Sequence, residues 1–418
     1  MKKYIILLGA IRNVGGAQVY TANKLKYMEE KGWEPHAFFF VDGEITINYL
    51  LRFKNNYIPE LQNEIKFSTA QQVANAVDCI SSVVGHADEI VIESTILSLS
   101  FWGEYIAEKM NARHIVFILE EELRRITRRE AAFFDFKLQR NELVFGSQRR
   151  LLQLFRFYYH LKYRKYHQSL LPFCSNVIDY TPAKIPDELL CLHSYKILTI
   201  GRLLKPYIGS MFKAIKSFAE KYPQKRFSLI VIGGDADGKL ENETKEIFSH
   251  LTNIDVYMMG FVFPIPYDLV KIADVAIASS NSVLVSANEG IPTIVVDAYD
   301  FKAIGIYGIT TNNLLHRTHE PQTPIVDLLD DVLNKKEYPK VLSQHHEQQD
   351  LSIYFEPHVK FLEEASKEKA YYNLSKIYTP FFSFRQRLKE KIKRLFRPFY
   401  VPVINQFYRF FRSPEEGG

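Results

Sequence analysis

The chain has 418 residues, 47% of them hydrophobic and 24% charged, with a formal net charge of +5. That balance excludes disordered and collagen-like chains, and at about 150 residues per domain it allows two or three domains, each with a core of its own. The charge is unevenly placed: residues 385–412 hold nine basic side chains against the single acid Glu390, which leaves the rest of the chain at −3.

The first residues imitate an export signal, with Lys2 and Lys3 before an apolar run at 4–8. Arg12 interrupts that run and no small-x-small cleavage site follows, so the run is predicted to be a buried parallel strand. A helical period through Val19, Ala22, Leu25 and Met28 ends at Gly32, and a strand follows at 36–41. Further strands are expected at 89–92, 114–119 and 143–145, then in a second series at 197–200, 228–232, 255–258, 275–278 and 293–296, with helix-like segments between them. Strands alternating with helices imply an α/β chain whose parallel sheets are covered on both faces. Two such sheets place the boundary in the polar stretch 180–195. The expected organisation is a domain at 1–185, a second at 195–350, a segment at 351–375 whose helix over 356–372 crosses back to the first domain, and a basic tail at 376–418.

No run approaches the roughly 20 apolar residues that span a bilayer. Cys79, Cys174 and Cys191 have no metal-ligand spacing and cannot all pair with one another, which predicts reduced thiols in a cytoplasmic setting.

In open parallel sheets, ligands bind beyond the carboxyl ends of the strands. That rule selects Gly15-Gly16-Ala17-Gln18, Glu93-Ser94, Glu120-Glu121-Glu122, Gly201-Arg202-Leu203-Leu204-Lys205, Gly233-Gly234, Gly260-Phe261 and Ser280-Asn281-Ser282. Gly15-Gly16 lets backbone N–H groups approach a diphosphate at a helix start, or is a plain tight turn. Arg202 and Lys205 neutralise a leaving diphosphate, or are a solvated pair at a helix start. Ser280 and Ser282 cap a helix whose N–H groups also hold phosphate, or are simple caps. Glu289, the only acid between Asp274 and Asp297, accepts hydrogen bonds from ribose or sugar hydroxyls, or is a solvated helix end. Asp235-Ala236-Asp237 has the spacing of a divalent-metal pair, but its glycine-flanked composition is that of an exposed turn. His345-His346-Glu347 lacks the spacing of a zinc helix, and no metal site is expected.

Gly201-Arg202-Leu203 with its nearby Lys205, Gly260-Phe261, Ala273-Asp274-Val275 and Gly290-x-Pro292 together resemble the nucleotide-sugar domain of GT-B glycosyltransferases, particularly the retaining family 4 type. The resemblance reaches to about residue 372, and Gly15-Gly16 is similar to that family's glycine turn. It implies two Rossmann-like domains facing each other across a cleft. Arg202 and Lys205 would hold the donor diphosphate, Gly16 would approach it from the opposite domain, and the loop after Gly260 would contact the base. The donor would be a UDP- or GDP-sugar, with no cofactor and no metal. Lys205 lies closer to its arginine than the family's lysine does. The family's two glutamates beside the phosphate-binding helix are missing, with Val285 five residues before Gly290, so either Glu289 replaces one of them or the donor's ribose and sugar are held differently. No histidine follows the strand at 114–119. Glu120 and Glu121 stand there instead, where a carboxylate positions or deprotonates an acceptor hydroxyl; the alternative is a helix start paired with Arg124 and Arg125.

In the tail, Leu388, Ile392, Leu395 and Phe396 fall on one helical face, flanked by Arg385, Arg387, Lys391 and Lys393, and aromatics follow at 399–411. A basic amphipathic helix with aromatics predicts an in-plane anchor on anionic lipid. A second basic, aromatic-rich cluster (Arg140, Arg149, Arg150, Arg156, Lys162, Arg164, Lys165) is expected to face the same membrane. Such surfaces also suit single-stranded nucleic acid, but no RNA-binding motif accompanies them, and no nucleic-acid partner is expected. The sequence therefore predicts a hexosyltransferase-type enzyme, peripheral on the inner face of the plasma membrane. It would move sugar from a nucleotide sugar to a polyprenyl-diphosphate-linked glycan in bacterial surface polysaccharide synthesis. The alternatives are a nucleotide-sugar epimerase of the same architecture and a non-catalytic sugar-nucleotide-binding scaffold.

Overall fold

The computed structural model describes residues 1–120, 123–146, 148–156, 170–172, 177–190, 194–235, 238–342, 350–364 and 368–377. In chain order the first half runs β1 (Lys2–Ala10), α1 (Gly16–Glu30), β2 (Trp33–Val41), α2 (Ala70–Val84), β3 (Glu89–Ser94), α3 (Leu97–Met110), β4 (Arg113–Phe117), α4 (Arg128–Gln139), β5 (Leu143–Val144) and α5 (Gln148–Leu154). The second half runs β6 (Ile178–Asp179), β7 (Ser194–Ile200), α6 (Ile208–Lys221), β8 (Arg226–Ile232), α7 (Lys239–Phe248), β9 (Ile254–Gly260), β10 (Ile265–Pro266), α8 (Tyr267–Lys271), β11 (Val275–Ala278), α9 (Ser282–Ala287), β12 (Thr293–Val296), β13 (Ala303–Ile306), α10 (Ile325–Leu333) and α11 (Ser352–Glu364).

Successive side chains of a strand point to opposite faces, so an unbroken apolar run serves two cores. In β1, Tyr4, Ile6 and Leu8 pack with Val19, Leu25 and Met28 of α1, while Ile5 and Leu7 pack with Ile80 of α2 and Trp102 of α3. The second half repeats the scheme: Ile197 of β7 joins α6 through Met211 and Phe212, and Leu198 and Ile200 join Val270 and Ala273 on the other face. Each such buried aliphatic side chain contributes about 1.5–3 kcal/mol relative to exposure.

Among the described residues the first sheet has the order β2-β1-β3-β4-β5, all parallel. The second has the order β13-β12-β11-β7-β8-β9, parallel except for the edge strand β13. The passage between the two halves comes earlier than residues 180–195. Leu171 belongs to the first core, whereas Ile178 already pairs with Ile265 and packs in the second. A two-residue strand carries no periodicity, which is why the pattern hides it.

The helix expected at 356–372 is Ser352–Glu364 instead: it starts earlier, takes Pro357 inside it, and residues 368–373 are not helical. It lies on the first half, with Phe355, Phe361 and Leu362 in the α1 core. Tyr27 donates to Glu356 at 2.6 Å and Arg113 to the Leu362 carbonyl at 2.9 Å. Beyond it, Tyr371 donates to the Ala112 carbonyl at 3.0 Å and the Tyr372 N–H to Glu104 of α3 at 2.6 Å, strapping the chain to the opposite, α3 face of the first sheet. Among the described residues no helix is long and apolar enough to cross a membrane. The anchor residues Arg385, Arg387, Lys391, Ile392, Lys393, Leu395 and Phe396 lie outside the described residues.

Candidate functional site

In a doubly wound sheet a crevice opens where the strand order reverses. The first sheet reverses between β1 and β3, the second between β7 and β11. The segments leaving these strands, with Glu120 after β4, line a single cleft of about 560 Å³, with residues 14–19, Ile96 and Glu120 on one wall and Gly201, Arg202, Lys205 and residues 279–282 on the other. Two switch points therefore face each other.

On the first wall, Gly15 is the N-cap of α1 and supplies no side-chain cap, while Gln18 turns back to the Ala10 carbonyl at 3.0 Å. The leading N–H groups of α1, which no intrahelical carbonyl can reach, thus belong to residues that line the cleft. Opposite them stand exposed Arg202 and half-buried Lys205. They occupy a turn and not a helix start, the place that the alternative reading gave them: the Lys205 N–H bonds to the Arg202 carbonyl at 3.1 Å, and α6 begins only at Ile208. A Cβ placed on Gly15 would lie 3.7 Å from the Arg202 guanidinium carbon, so the two walls nearly touch here.

No protein-family model and no curated protein matches the sequence. Solved structures do match. A glycosyltransferase from Rickettsia africae superposes with a TM-score of 0.56 at 13% identity, over 87% of this chain and 94% of that one. Anabaena HepE, solved with UDP and glucose, superposes with a TM-score of 0.52 at 12% identity, over 87% of this chain and 95% of that one. The chain has the GT-B fold.

The strand ends behind Arg202 are knitted by backbone contacts in this GT-B chain. Gly201 N–H bonds to the Ile232 carbonyl at 2.9 Å and Gly233 N–H to the Gly260 carbonyl at 2.8 Å. Gly233 has φ +145, and a Cβ there would sit 1.9 Å from the Gly201 carbonyl oxygen, so only glycine fits. Gly260 closes this knot, and the two residues after it, Phe261 and Val262, line the cleft.

Ser280 and Ser282 line the cleft but do not cap α9. The N-cap is Asn281, without a side-chain hydrogen bond, and Ser280 sits at φ +62 with its N–H on the Leu314 carbonyl at 2.6 Å. Beside them Ser279 is 1% exposed, and its Oγ has no hydrogen-bond partner among the described residues. Glu289 is not at the cleft. It is 3% exposed, and its Oε1 accepts from Tyr180 at 2.5 Å, which together with burial holds that phenol protonated well above its usual range. The six residues of α9 carry the chain away from the cleft-lining strand end, so Glu289 becomes a tie to the segment after β6 and not a ligand of a ribose in the cleft.

Glu120 forms the floor on the first wall. Its Oε2 accepts the Leu97 N–H at 2.5 Å, capping α3 where Ile96 offers no side chain. Burial pushes its carboxyl above the ordinary range, against the opposing pull of the Leu97 N–H, Arg124 and Arg150. Glu121 lies outside the described residues. Arg150, assigned from sequence to a membrane-facing cluster, lines the cleft and reaches the Ile118 carbonyl at 3.4 Å. Arg140 of the same cluster turns instead to Glu142 at 3.0 Å and to the Glu368 carbonyl. Asp235 accepts from Leu240 and Glu241 N–H at 2.9 and 3.3 Å, so it secures α7; Asp237 lies outside the described residues.

Two strand-end residues singled out from sequence are core. Glu93, 0% exposed, takes Tyr4 at 2.6 Å, Tyr20 at 2.9 Å and the Lys24 ammonium. Ser94 meets His114 Nε2 at 2.9 Å, and His114 Nδ1 meets Glu104 at 2.7 Å. This has the connectivity of a relay, but all three are sealed in the interior. Sequence reasoning missed Arg150 and Ser279 at the cleft. Applying the strand-end rule to β5 points to the Gly146-to-Arg150 segment, and Ser279 is the first residue beyond β11.

Proposed function

We propose that this chain is a hexosyltransferase-type glycosyltransferase that transfers a sugar from a nucleotide diphosphate donor, a UDP- or GDP-sugar, to an acceptor held in the cleft. The observation that carries this reading is Arg202 and Lys205 facing the uncapped start of α1 across Gly15, an arrangement that stabilises negative charge developing on a departing diphosphate. Anabaena HepE, solved with UDP and glucose, supports the ligand class. The sugar's anomeric carbon–phosphate oxygen bond breaks, the acceptor oxygen bonds to that carbon, and the acceptor proton passes to Glu120, which also holds the hydroxyl. The polar residues 279–282 line the donor wall, where the transferred sugar lies. No metal or cofactor is required in this scheme.

The acceptor is a polyprenyl-diphosphate-linked glycan, and the basic tail keeps the enzyme at the cytoplasmic face of the plasma membrane, in a bacterial surface polysaccharide pathway. The test is a binding screen over UDP-, GDP-, dTDP- and CMP-sugars followed by product analysis with lipid-linked acceptors. Transfer with release of the nucleoside diphosphate is expected. A soluble epimer as product would replace this reading with an epimerase, and binding without turnover would replace it with a scaffold.

A further inference from the structure

Three cationic side chains line the cleft among the described residues, and they divide between its walls: Arg202 and Lys205 on the second, Arg150 on the first. On the glycosyltransferase reading, Arg202 and Lys205 serve the donor diphosphate. Arg150 stands on the acceptor wall with Glu120, and the two feel each other electrostatically. It is a half-buried residue of α5, and its Nη1 leans on the Ile118 carbonyl. A planar guanidinium fork matches the oxygens of a phosphate or carboxylate.

We propose that Arg150 recognises an anionic group on the acceptor, a phosphate or a carboxylate, placed next to the hydroxyl that Glu120 receives. Ile118 lies two residues before Glu120, a separation of at most roughly 7 Å along the chain. With the 3.4 Å contact of Arg150 added, the anion sits within about two sugar rings of the attacked hydroxyl. The acceptor is either one or two sugars carried on a phosphate or diphosphate, or a glycan with an acidic sugar at or next to its end; a long neutral glycan whose only charge is at a distant lipid diphosphate does not fit. This inference rests on the transferase reading and sharpens its acceptor class.

The test uses the full chain. UDP is titrated first, and the UDP-saturated protein is then titrated with N-acetylglucosamine 1-phosphate, methyl glucuronide and methyl glucoside. A charged probe is expected to bind at least roughly ten-fold tighter than the neutral one, as charge-assisted hydrogen bonds allow. Arg150→Gln removes that preference and Arg150→Lys restores part of it, while UDP affinity reports that both variants are folded. Preference for the phosphate probe alone identifies a phosphorylated acceptor, and for the glucuronide alone an acidic sugar. Equal binding of charged and neutral probes, no binding of either charged probe to UDP-loaded protein, or a preference that survives Arg150→Gln overturns the proposal and leaves the donor reading standing. Failure of the wild type to bind UDP or any other nucleotide of the donor screen removes the reading beneath it.

Discussion

Arg202 and Gly15 meet across the cleft: a Cβ on Gly15 would touch the guanidinium carbon at 3.7 Å and lie 2.7 Å from Gln18 Oε1, too close for that side chain to stay where it is. Gly15→Ala therefore swings Gln18 off the Ala10 carbonyl and fills the gap between Arg202 and the start of α1. Gly15 has extended backbone, so the substitution strains nothing else. UDP affinity is expected to fall about ten-fold, or roughly 1.4 kcal/mol, with an unchanged unfolding midpoint. Calorimetric titration and a thermal melt on the same preparation check both halves.

Removing the cations themselves has a larger effect. Hydrogen bonds to charged groups contribute about 1.5–3 kcal/mol each, so Arg202→Ala with Lys205→Ala is expected to lower donor affinity and turnover together by about 100-fold or more. Both side chains sit in a turn outside the cores, which keeps the variant folded. Wild-type turnover and donor affinity in the double variant would eliminate the assignment.

Glu120→Gln separates the two tasks of that side chain. The amide oxygen still accepts the Leu97 N–H and caps α3, but the amide takes no proton. A loss of about 100-fold or more in kcat/KM at unchanged thermal stability is expected. Because burial raises the Glu120 pKa, the wild-type rate falls as pH drops through a value above the usual carboxylate range of about 4.3. The variant lacks that acid limb, and a pH–rate series that keeps it in Glu120→Gln assigns the proton to another group.

The strands were legible because continuous apolar runs such as Tyr4 to Leu8 have few alternatives to a strand buried on both faces. Glycine-rich strand ends then located the cleft, and Gly15, Gly16, Arg202 and Lys205 converge there. What stayed hidden depends on where short elements carry a residue. Glu289 sits beside a phosphate-binding motif in sequence, yet α9 takes it to Tyr180. Arg150 has basic neighbours and looks like surface until β5 sets α5 against the cleft. The helix expected from Glu356 begins earlier, at Ser352, where Phe355 packs on α1 ahead of Pro357.

The tail can be tested independently of the cleft. Each Lys or Arg near an anionic surface contributes about 1 kcal/mol, so the nine basic residues at 385–412 suffice to hold the chain on vesicles containing phosphatidylglycerol at moderate salt. Deletion from Thr379 onward is expected to move the protein from the vesicle pellet to the supernatant. Nucleotide-sugar binding stays, since Thr379 lies beyond the segment strapped to the first half at Tyr371 and Tyr372. Unchanged sedimentation of the truncated chain would disprove the anchor.

His114 sets a limit on acid stability. Burial and the nearby Lys137 push its pKa down to about 4, with Glu104 pulling the other way, whereas an unfolded histidine titrates near 6.5. Its folded-state pKa is depressed, so its neutral form is favoured on folding and costs nothing above about 6.5. As pH falls from there toward 4, the unfolded chain takes up a proton that the folded chain refuses, and stability declines. Glu104, held at about 2 mainly by Lys137 and His114 against its own burial, stays ionised over most of this window; its contribution is lost only below the ordinary carboxylate range. Urea unfolding of the wild type should therefore lose roughly 2–3 kcal/mol from this site between pH 7 and 4.5. His114→Asn is less stable at pH 7, where it gives up the contacts to Ser94 and Glu104, but it escapes that decline. The stability gap between the two should narrow by about the same 2–3 kcal/mol on acidification, and a gap that stays constant would place the proton uptake elsewhere.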